Sequence, residues 1–112
     1  MEVRTERRNA TLVAEVEGRI DGIAARELED AMKSAISDED AAVIVDLEGV
    51  SYISSAGLRA ILLVAKDLWK RDAKFSLCSL RKPIHEVFDI AGFHKIIEIH
   101  DTKAEALTET GD

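Results

Sequence analysis

Residues 43–65 have the sequence VIVDLEGVSYISSAGLRAILLVA, and this stretch decides the fold. It begins with residues 43–47, a nearly continuous β-branched run that is typical of a strand covered on both faces. It ends in a helical rhythm, with apolar side chains at positions 58, 61, 62 and 65. Small and polar residues separate the two parts, and Ser54 or Ser55 opens the helix. A buried strand that leads into a helix is the repeating unit of an α/β sheet.

The residues before this stretch predict two strands and a helix. Residues 2–8 and 11–17 alternate between polar and apolar side chains, with a turn near Asn9–Ala10 between them. A helical period then covers 23–37, and Asp21 stands just before it as a candidate N-cap. The first two strands are close enough in sequence to pair as a hairpin.

The residues after this stretch continue the alternation of strand and helix. The pattern predicts strands over 75–80 and 95–99, and between them a helix that begins near Pro83 and ends at Gly92. A final helix is predicted over 102–107. The element order favours parallel neighbours after the hairpin. We therefore predict one α/β domain over 1–112, with a mostly parallel central sheet, an N-terminal hairpin and about four helices.

The composition argues against several classes of partner. Apolar residues make up 46% of the chain and charged residues 33%, which suits a globular fold. The chain has 15 Lys and Arg and 22 Asp and Glu, which gives a formal net charge of −7. Direct binding to nucleic acid or to an anionic membrane is favoured by clustered cations, so this charge argues against both as the main partner. The amino terminus has no apolar core of the secretory type. We expect a cytoplasmic protein without membrane insertion.

The cysteine and histidine content does not favour a metal or a cofactor. Cys78 is the single cysteine and lies in the apolar run 75–80, as a small buried side chain would. The spacing of His85, His94 and His100 matches no helical metal-ligand motif, and no glycine loop of the phosphate-binding kind is present. We therefore expect no metal and no cofactor. The oligomeric state stays open between a monomer and a weak dimer.

The residues of segment 46–59 support two interpretations. Serine caps a helix well and small residues allow a tight turn, so the segment can be ordinary strand-to-helix punctuation. Alternatively, the loop after a parallel strand is the usual ligand or partner face of an α/β sheet. A helix N-terminus tolerates a phosphate, so a serine at this position can be phosphorylated without breaking the fold. The phosphate would add about −1.5 to −2 charges to a small, neutral patch. A charge of this size would turn a favourable protein contact into an unfavourable one.

The stretch DLEGVSYISSAGLRAI, residues 46–61, resembles the signature of bacterial anti-sigma factor antagonists, which are stand-alone STAS domains. The element Gly18-Arg19-Ile20-Asp21 is similar to a G-x-[LIF]-D element that precedes the first helix of that family. Residues 83–93 are similar to its third helix and the exit from it. The resemblance covers essentially the whole chain and agrees with the predicted order of elements.

The resemblance implies a phosphorylation site. In this family a partner-switching kinase phosphorylates the serine that follows the Asp of a D-S-[ST]-G-L element. When the chain is aligned on Gly57 and Leu58, that serine is Ser55, while Ser54 takes the Asp position and Ala56 the second Ser/Thr position. Both flanking positions depart from the family pattern, so Ser54 stays as the alternative site of phosphorylation.

The resemblance also implies a partner-binding surface, made of Asp21, Ser54, Ser55, Ala56, Gly57 and Leu58. Asp21 is implied near the kinase interface and can at the same time cap the first helix. The helical rhythm places Leu58 in the core as readily as in a contact. Asp46 is expected to hydrogen-bond loop backbone at the end of its strand rather than to take part in chemistry.

The function that the resemblance implies is that of an anti-sigma factor antagonist. It would bind an anti-sigma factor serine kinase and so free a sigma factor; phosphorylation of Ser55 would inactivate it and a serine phosphatase would restore it. The alternative is an accessory STAS subunit of a lipid-transport or stressosome-like assembly, in which the same surface is a permanent contact. An enzyme with Ser55 as nucleophile is disfavoured, because the sequence has neither a G-x-S-x-G elbow nor a triad spacing.

Overall fold

A computed structural model describes residues 1–110. Within them the chain forms five strands, four helices and one 3₁₀ turn, in the predicted alternating order. The strands are β1 (Glu2–Arg8), β2 (Thr11–Ile20), β3 (Ala42–Ile53), β4 (Lys74–Cys78) and β5 (Glu98–His100). The helices are α1 (Gly22–Ala35), α2 (Ser55–Trp69), α3 (Lys82–Ile90) and α4 (Lys103–Glu109), and the 3₁₀ turn covers Phe93–Lys95.

The strands form a single sheet in the order β1-β2-β3-β4-β5. β1 and β2 pair antiparallel around the two residues Asn9 and Ala10, and the remaining neighbours are parallel. The predicted fold class is therefore confirmed: an α/β domain with an N-terminal hairpin, a mostly parallel sheet and four helices.

Helices cover both faces of the sheet. The alternation along β2 sends Leu12, Ala14 and Val16 into the main core, which also contains buried side chains of α1, α2 and α3. Val13 points to the other face, where it belongs to a smaller cluster with Leu107 of α4. The short C-terminal helix thus closes the face that the longer helices leave open.

Strand β3 is longer than predicted. The sequence suggested a strand that stops near Leu47 and a loop from there to the helix, but β3 continues to Ile53, and β2 continues beside it to Ile20. Two register shifts make this possible, because β3 contains one extra residue between Asp46 and Gly49 and another after Val50. Bulges of this kind break the period-2 pattern on which a strand prediction depends.

The last two strands also differ from their predictions. β4 ends at Cys78 rather than residue 80, because Ser79 has a φ of 62°, which takes the chain out of the extended conformation. The strand predicted over 95–99 is instead residues 98–100. Gly92 terminates α3 in the left-handed region, as predicted, but the chain then makes a 3₁₀ turn that includes Lys95 before β5 begins.

The helices begin close to the predicted positions. Pro83 lies in the first turn of α3, and Thr102 caps α4 by accepting a hydrogen bond from the Glu105 N–H. Helix α1 ends at Ala35, two residues before its predicted end. The predicted domain range includes Gly111 and Asp112, which lie outside the described residues. Among residues 1–110, no helix is both long enough and apolar enough to cross a bilayer.

Candidate functional site

The candidate site lies where β2 and β3 end side by side. Their last register pair is Ile20 and Ile53, and the chain leaves each strand into a helix after one further residue. That residue is Asp21 before α1 and Ser54 before α2. The Ser54 N–H donates to the Ile20 carbonyl at 2.8 Å, which ties the start of α2 to the end of β2. The structure therefore brings Asp21 next to the serine pair, although 33 positions separate Asp21 from Ser54.

Asp21 and Ser54 perform the same local task. The Asp21 carboxylate accepts a hydrogen bond from the Ala24 N–H at 2.9 Å, and the Ser54 hydroxyl accepts one from the Gly57 N–H at 3.1 Å. Both are N-caps, each satisfying a backbone donor that the helix itself leaves unpaired. The predicted capping role of Asp21 is confirmed, and Ser54 rather than Ser55 is the cap of the second helix.

The two serines differ in exposure and bonding. Ser54 is half-buried and its oxygen is occupied by the cap, whereas Ser55 is the first residue of α2 and is exposed. Within the described chain the Ser55 hydroxyl makes no side-chain hydrogen bond. Of these two serines, Ser55 is thus the one whose hydroxyl is exposed and without a hydrogen-bond partner among residues 1–110.

The remaining residues of the implied surface divide between surface and core. Ala56 is exposed beside Ser55, while Gly57 is buried. Leu58 is half-buried and packs against the main core, which agrees with its place in the apolar rhythm of the helix. Within residues 54–58 the exposed positions are therefore Ser55 and Ala56, with Ser54 and Leu58 half-buried.

A cleft of about 520 Å³ lies between α1 and α2, and the sequence did not reveal it. Small residues line much of it, at Gly22, Ala25, Ala56 and Ala60. The charged side chains on its walls are Arg26 and Glu29 from α1 and Arg59 from α2. The lining residues of each helix recur at helical spacing, at positions 22, 25, 26 and 29 in α1 and at 56, 59, 60 and 63 in α2. The sequence therefore places each set on one face of its helix. That the two sets face each other follows only from the packing.

A pair of exposed side chains lies at the same edge of the sheet. The guanidinium of Arg19 stacks 4.4 Å from the ring centroid of Tyr52, one position before the last register pair of β2 and β3. Without the bulges in β3, Tyr52 would not stand opposite Arg19, so the spacing in sequence gave no signal of this contact.

Asp46 and Cys78 are neighbours in the interior of the sheet rather than parts of this surface. Asp46 lies within β3, not at its end as predicted, and its carboxylate accepts a hydrogen bond from the Glu48 N–H at 2.9 Å. The expected bond to backbone is therefore present. Burial, reinforced by the negative charge of Asp46, raises the pKa of the Cys78 thiol to about 11, so the thiol stays protonated.

His85 and His94 face an aspartate rather than a serine. The Nδ1 atoms of His85 and His94 both face the Asp89 carboxylate, at 3.1 and 3.5 Å, and neither ring hydrogen-bonds Ser55. In the part of the chain that the structure describes, no group of three or more His, Cys, Asp or Glu side chains is placed to hold a metal ion.

Comparison with known proteins gives a consistent family. Residues 2–106 match the STAS domain model. The chain is 33% identical to BtrV of Bordetella bronchiseptica, which carries the provisional name of anti-sigma factor antagonist, over 95% of this chain and 91% of that protein. It is 31% identical to the anti-sigma-F factor antagonist RsfB of Mycobacterium tuberculosis, over 89% of this chain and 81% of RsfB.

The fold comparison agrees with the sequence comparison. A crystal structure of an anti-sigma factor antagonist from Mycobacterium paratuberculosis superposes with a TM-score of 0.89 at 27% identity, covering 99% of this chain and 94% of that one. The family match extends over nearly all of the described residues, and the relatives are matched over most of their own length. The chain belongs to the STAS domain family, and its named relatives there are anti-sigma factor antagonists.

Proposed function

We propose that this protein is an anti-sigma factor antagonist that binds an anti-sigma factor serine kinase through the surface around Ser55. The observation that carries the proposal is the exposed, unbonded hydroxyl of Ser55 at the first residue of α2, beside a Ser54 hydroxyl that is committed to the cap. Binding would displace a sigma factor from the kinase. The protein itself acts by contact and not by catalysis.

Phosphorylation of Ser55 is the proposed off-signal. The sequence neighbours of Ser55, namely Ser54, Ala56 and Gly57, are small and neutral, so a dianionic group there would abolish the fit to a partner that was complementary to a hydroxyl. The backbone would not need to change, because a helix N-terminus accommodates a phosphate. A serine phosphatase that removes the group would restore binding.

The proposal is tested by measuring the binding of variants to the anti-sigma factor that is recovered with the protein from its own cells. Ser55→Ala should bind at least as tightly as the wild type and resist inactivation by the kinase, whereas Ser55→Asp and Ser55→Glu should bind poorly. The matched control is Ser34→Asp, which adds the same charge at an exposed serine in the last turn of α1. Tight binding of Ser55→Asp would show that the mechanism is wrong.

Phosphopeptide mass spectrometry over residues 50–66 locates the modification. Phosphate on Ser55 supports the proposal, and phosphate on Ser54 alone would move the site by one residue and require the cap to be broken. Recovery of a transporter ATPase instead of a kinase would favour the accessory-subunit alternative.

A further inference from the structure

The cleft between α1 and α2 contains two arginines that are not neutralised. Arg26 and Arg59 line it from opposite helices, and both are exposed. Neither guanidinium forms an ion pair or a side-chain hydrogen bond with any residue in 1–110. Glu29, the one carboxylate on the wall, is instead paired with Lys33 at 3.0 Å. In a chain of net charge −7, these two unpaired guanidiniums give one cleft a local excess of positive charge.

Ser55 stands at the edge of this cleft. It precedes Ala56, a lining residue, and it lies four positions before Arg59 on the same helix. Side chains at this spacing are neighbours on one helix face, with Cβ atoms about 5–6 Å apart. A phosphate on Ser55 is therefore within reach of the Arg59 guanidinium, which offers the planar pair of donors that phosphate oxygens accept.

We propose that a phosphate on Ser55 is bound within the protein itself by Arg59 and Arg26, so that phosphorylation closes the mouth of the α1–α2 cleft. The inference rests on the proposed function, since it takes Ser55 as the modified serine. It adds a second effect to the new charge: the phosphate occupies two cations and a cleft that are open in the unmodified protein. A partner then meets a changed surface as well as a repulsive group.

The test uses the full chain with phosphoserine placed at position 55 by genetic encoding, so that no kinase or partner is needed. The readout is the midpoint of the second ionisation of the phosphate, followed by ³¹P NMR during a pH titration. Because nearby cations favour the dianion, the wild-type background should titrate at lower pH than Arg59→Gln or Arg26→Gln. We expect each loss to change the acid dissociation constant by about 1.5- to 5-fold, the range of an exposed ion pair.

Lys66→Gln is the matched control. It removes the same charge from the same helix, but eleven residues from Ser55, which is about 16 Å along the axis. Glu29 on the wall of the cleft and Asp21, which precedes the lining residue Gly22, are identical in all variants. An unchanged midpoint in Arg59→Gln would overturn the proposal, and so would a change of equal size in Lys66→Gln, which would indicate a general effect of net charge.

The result is independent of whether Ser55 is the physiological site. If cells contain no phosphate on Ser55, the proposed off-signal at this residue fails, while the titration can still show capture of the group. If Ser55 is the physiological site but neither arginine variant changes the midpoint, the proposed off-signal is upheld. The proposed binding of the phosphate by Arg59 and Arg26 is then overturned. The second expected signature is a shift of the Arg59 Nε–H resonance on phosphorylation, of the same size in the wild type and in Lys66→Gln.

Discussion

Gly57 and Ile53 approach each other so closely that no side chain fits between them. A Cβ added to Gly57 would stand 2.7 Å from Cγ1 of Ile53 and 2.8 Å from Cγ2 of Ile20. The first turn of α2 therefore packs directly on the ends of β2 and β3. This close contact helps to set the position of the first turn of α2, which contains Ser55, relative to the ends of the two strands.

Gly57→Ala should destabilise the fold, because the methyl group has no space and both neighbours are buried isoleucines. We expect a loss of about 1–3 kcal/mol in the free energy of unfolding, measured by urea denaturation. Gly22→Ala is the matched control: it lies in the first turn of α1, where an added Cβ meets nothing within 4 Å. It should be neutral, or stabilising by up to about 1 kcal/mol through helix propensity. Equal losses in the two variants would contradict the packing argument.

Ser54→Ala and Ser55→Ala should separate stability from function. The first removes the hydroxyl that accepts the Gly57 N–H and should cost about 1 kcal/mol. The second removes an exposed hydroxyl without a partner and should change stability by less than about 0.5 kcal/mol. Thermal unfolding of both variants measures this difference. Should Ser55→Ala be the less stable of the two, the assignment of the cap would be wrong.

The sequence predicts the layers of this fold because its apolar periods are unambiguous. The alternation at Leu12, Ala14 and Val16 and the helical rhythm of α2 each bury one face, and the structure buries those faces. The end of β3 was not predictable in the same way. There, Gly49 of β3 is paired with Glu17 of β2, and a Cβ added to Gly49 would be 3.0–3.2 Å from Glu17. This contact depends on the register between the two strands, which the local sequence pattern does not determine.

The site shows the same division. The cap at Asp21 and a serine start of α2 at residue 54 or 55 could be predicted, because the preference of Asp and Ser for these positions is a local property of the helix start. The charges of the cleft could not, since Arg26 and Arg59 come together only through the packing of α1 on α2. Sequence patterns thus specified the starts of α1 and α2 better than the cleft between these helices.

Cys78 should be inert in the folded protein. It is fully buried, and its pKa of about 11 keeps the thiol protonated near neutrality. We expect a thiol-specific disulfide reagent at pH 8 to leave the native protein unlabelled and to modify one cysteine per chain in urea. The control is Ser34→Cys, whose exposed thiol should react at once. Native labelling of Cys78 at the rate of that control would show that α4 does not stay docked over it.

An ion pair between exposed Arg7 and buried Asp40 lies at the end of the sheet opposite the site. The Asp40 carboxylate, 1% exposed, accepts hydrogen bonds from Arg7 at 2.7 and 2.8 Å and a third from the Ser37 N–H. Arg71 donates to the carbonyls of Ser37, Asp38 and Asp40. The hydrogen bond from Arg7 is the main reason that the pKa of Asp40 lies below its ordinary value. The Arg7–Asp40 pair connects β1 with the loop after α1, and Arg71 connects that loop with the residues that follow α2.

Asp40→Asn should lower the free energy of unfolding at pH 7 by about 2 kcal/mol, the scale of hydrogen bonds to a charged group. The carboxyl releases its proton more readily in the folded chain than in the unfolded one, so its contribution is present above the unfolded pKa. It is lost as the pH falls through the lower, folded pKa.

The difference in unfolding free energy between wild type and Asp40→Asn should therefore be constant from about pH 5 to 8 and shrink below about pH 4. Urea midpoints across that range measure it, with Asp38→Asn as the control, since the Asp38 side chain is exposed and unpaired within residues 1–110. A difference that grew on acidification would mean that Asp40 is held in its protonated form.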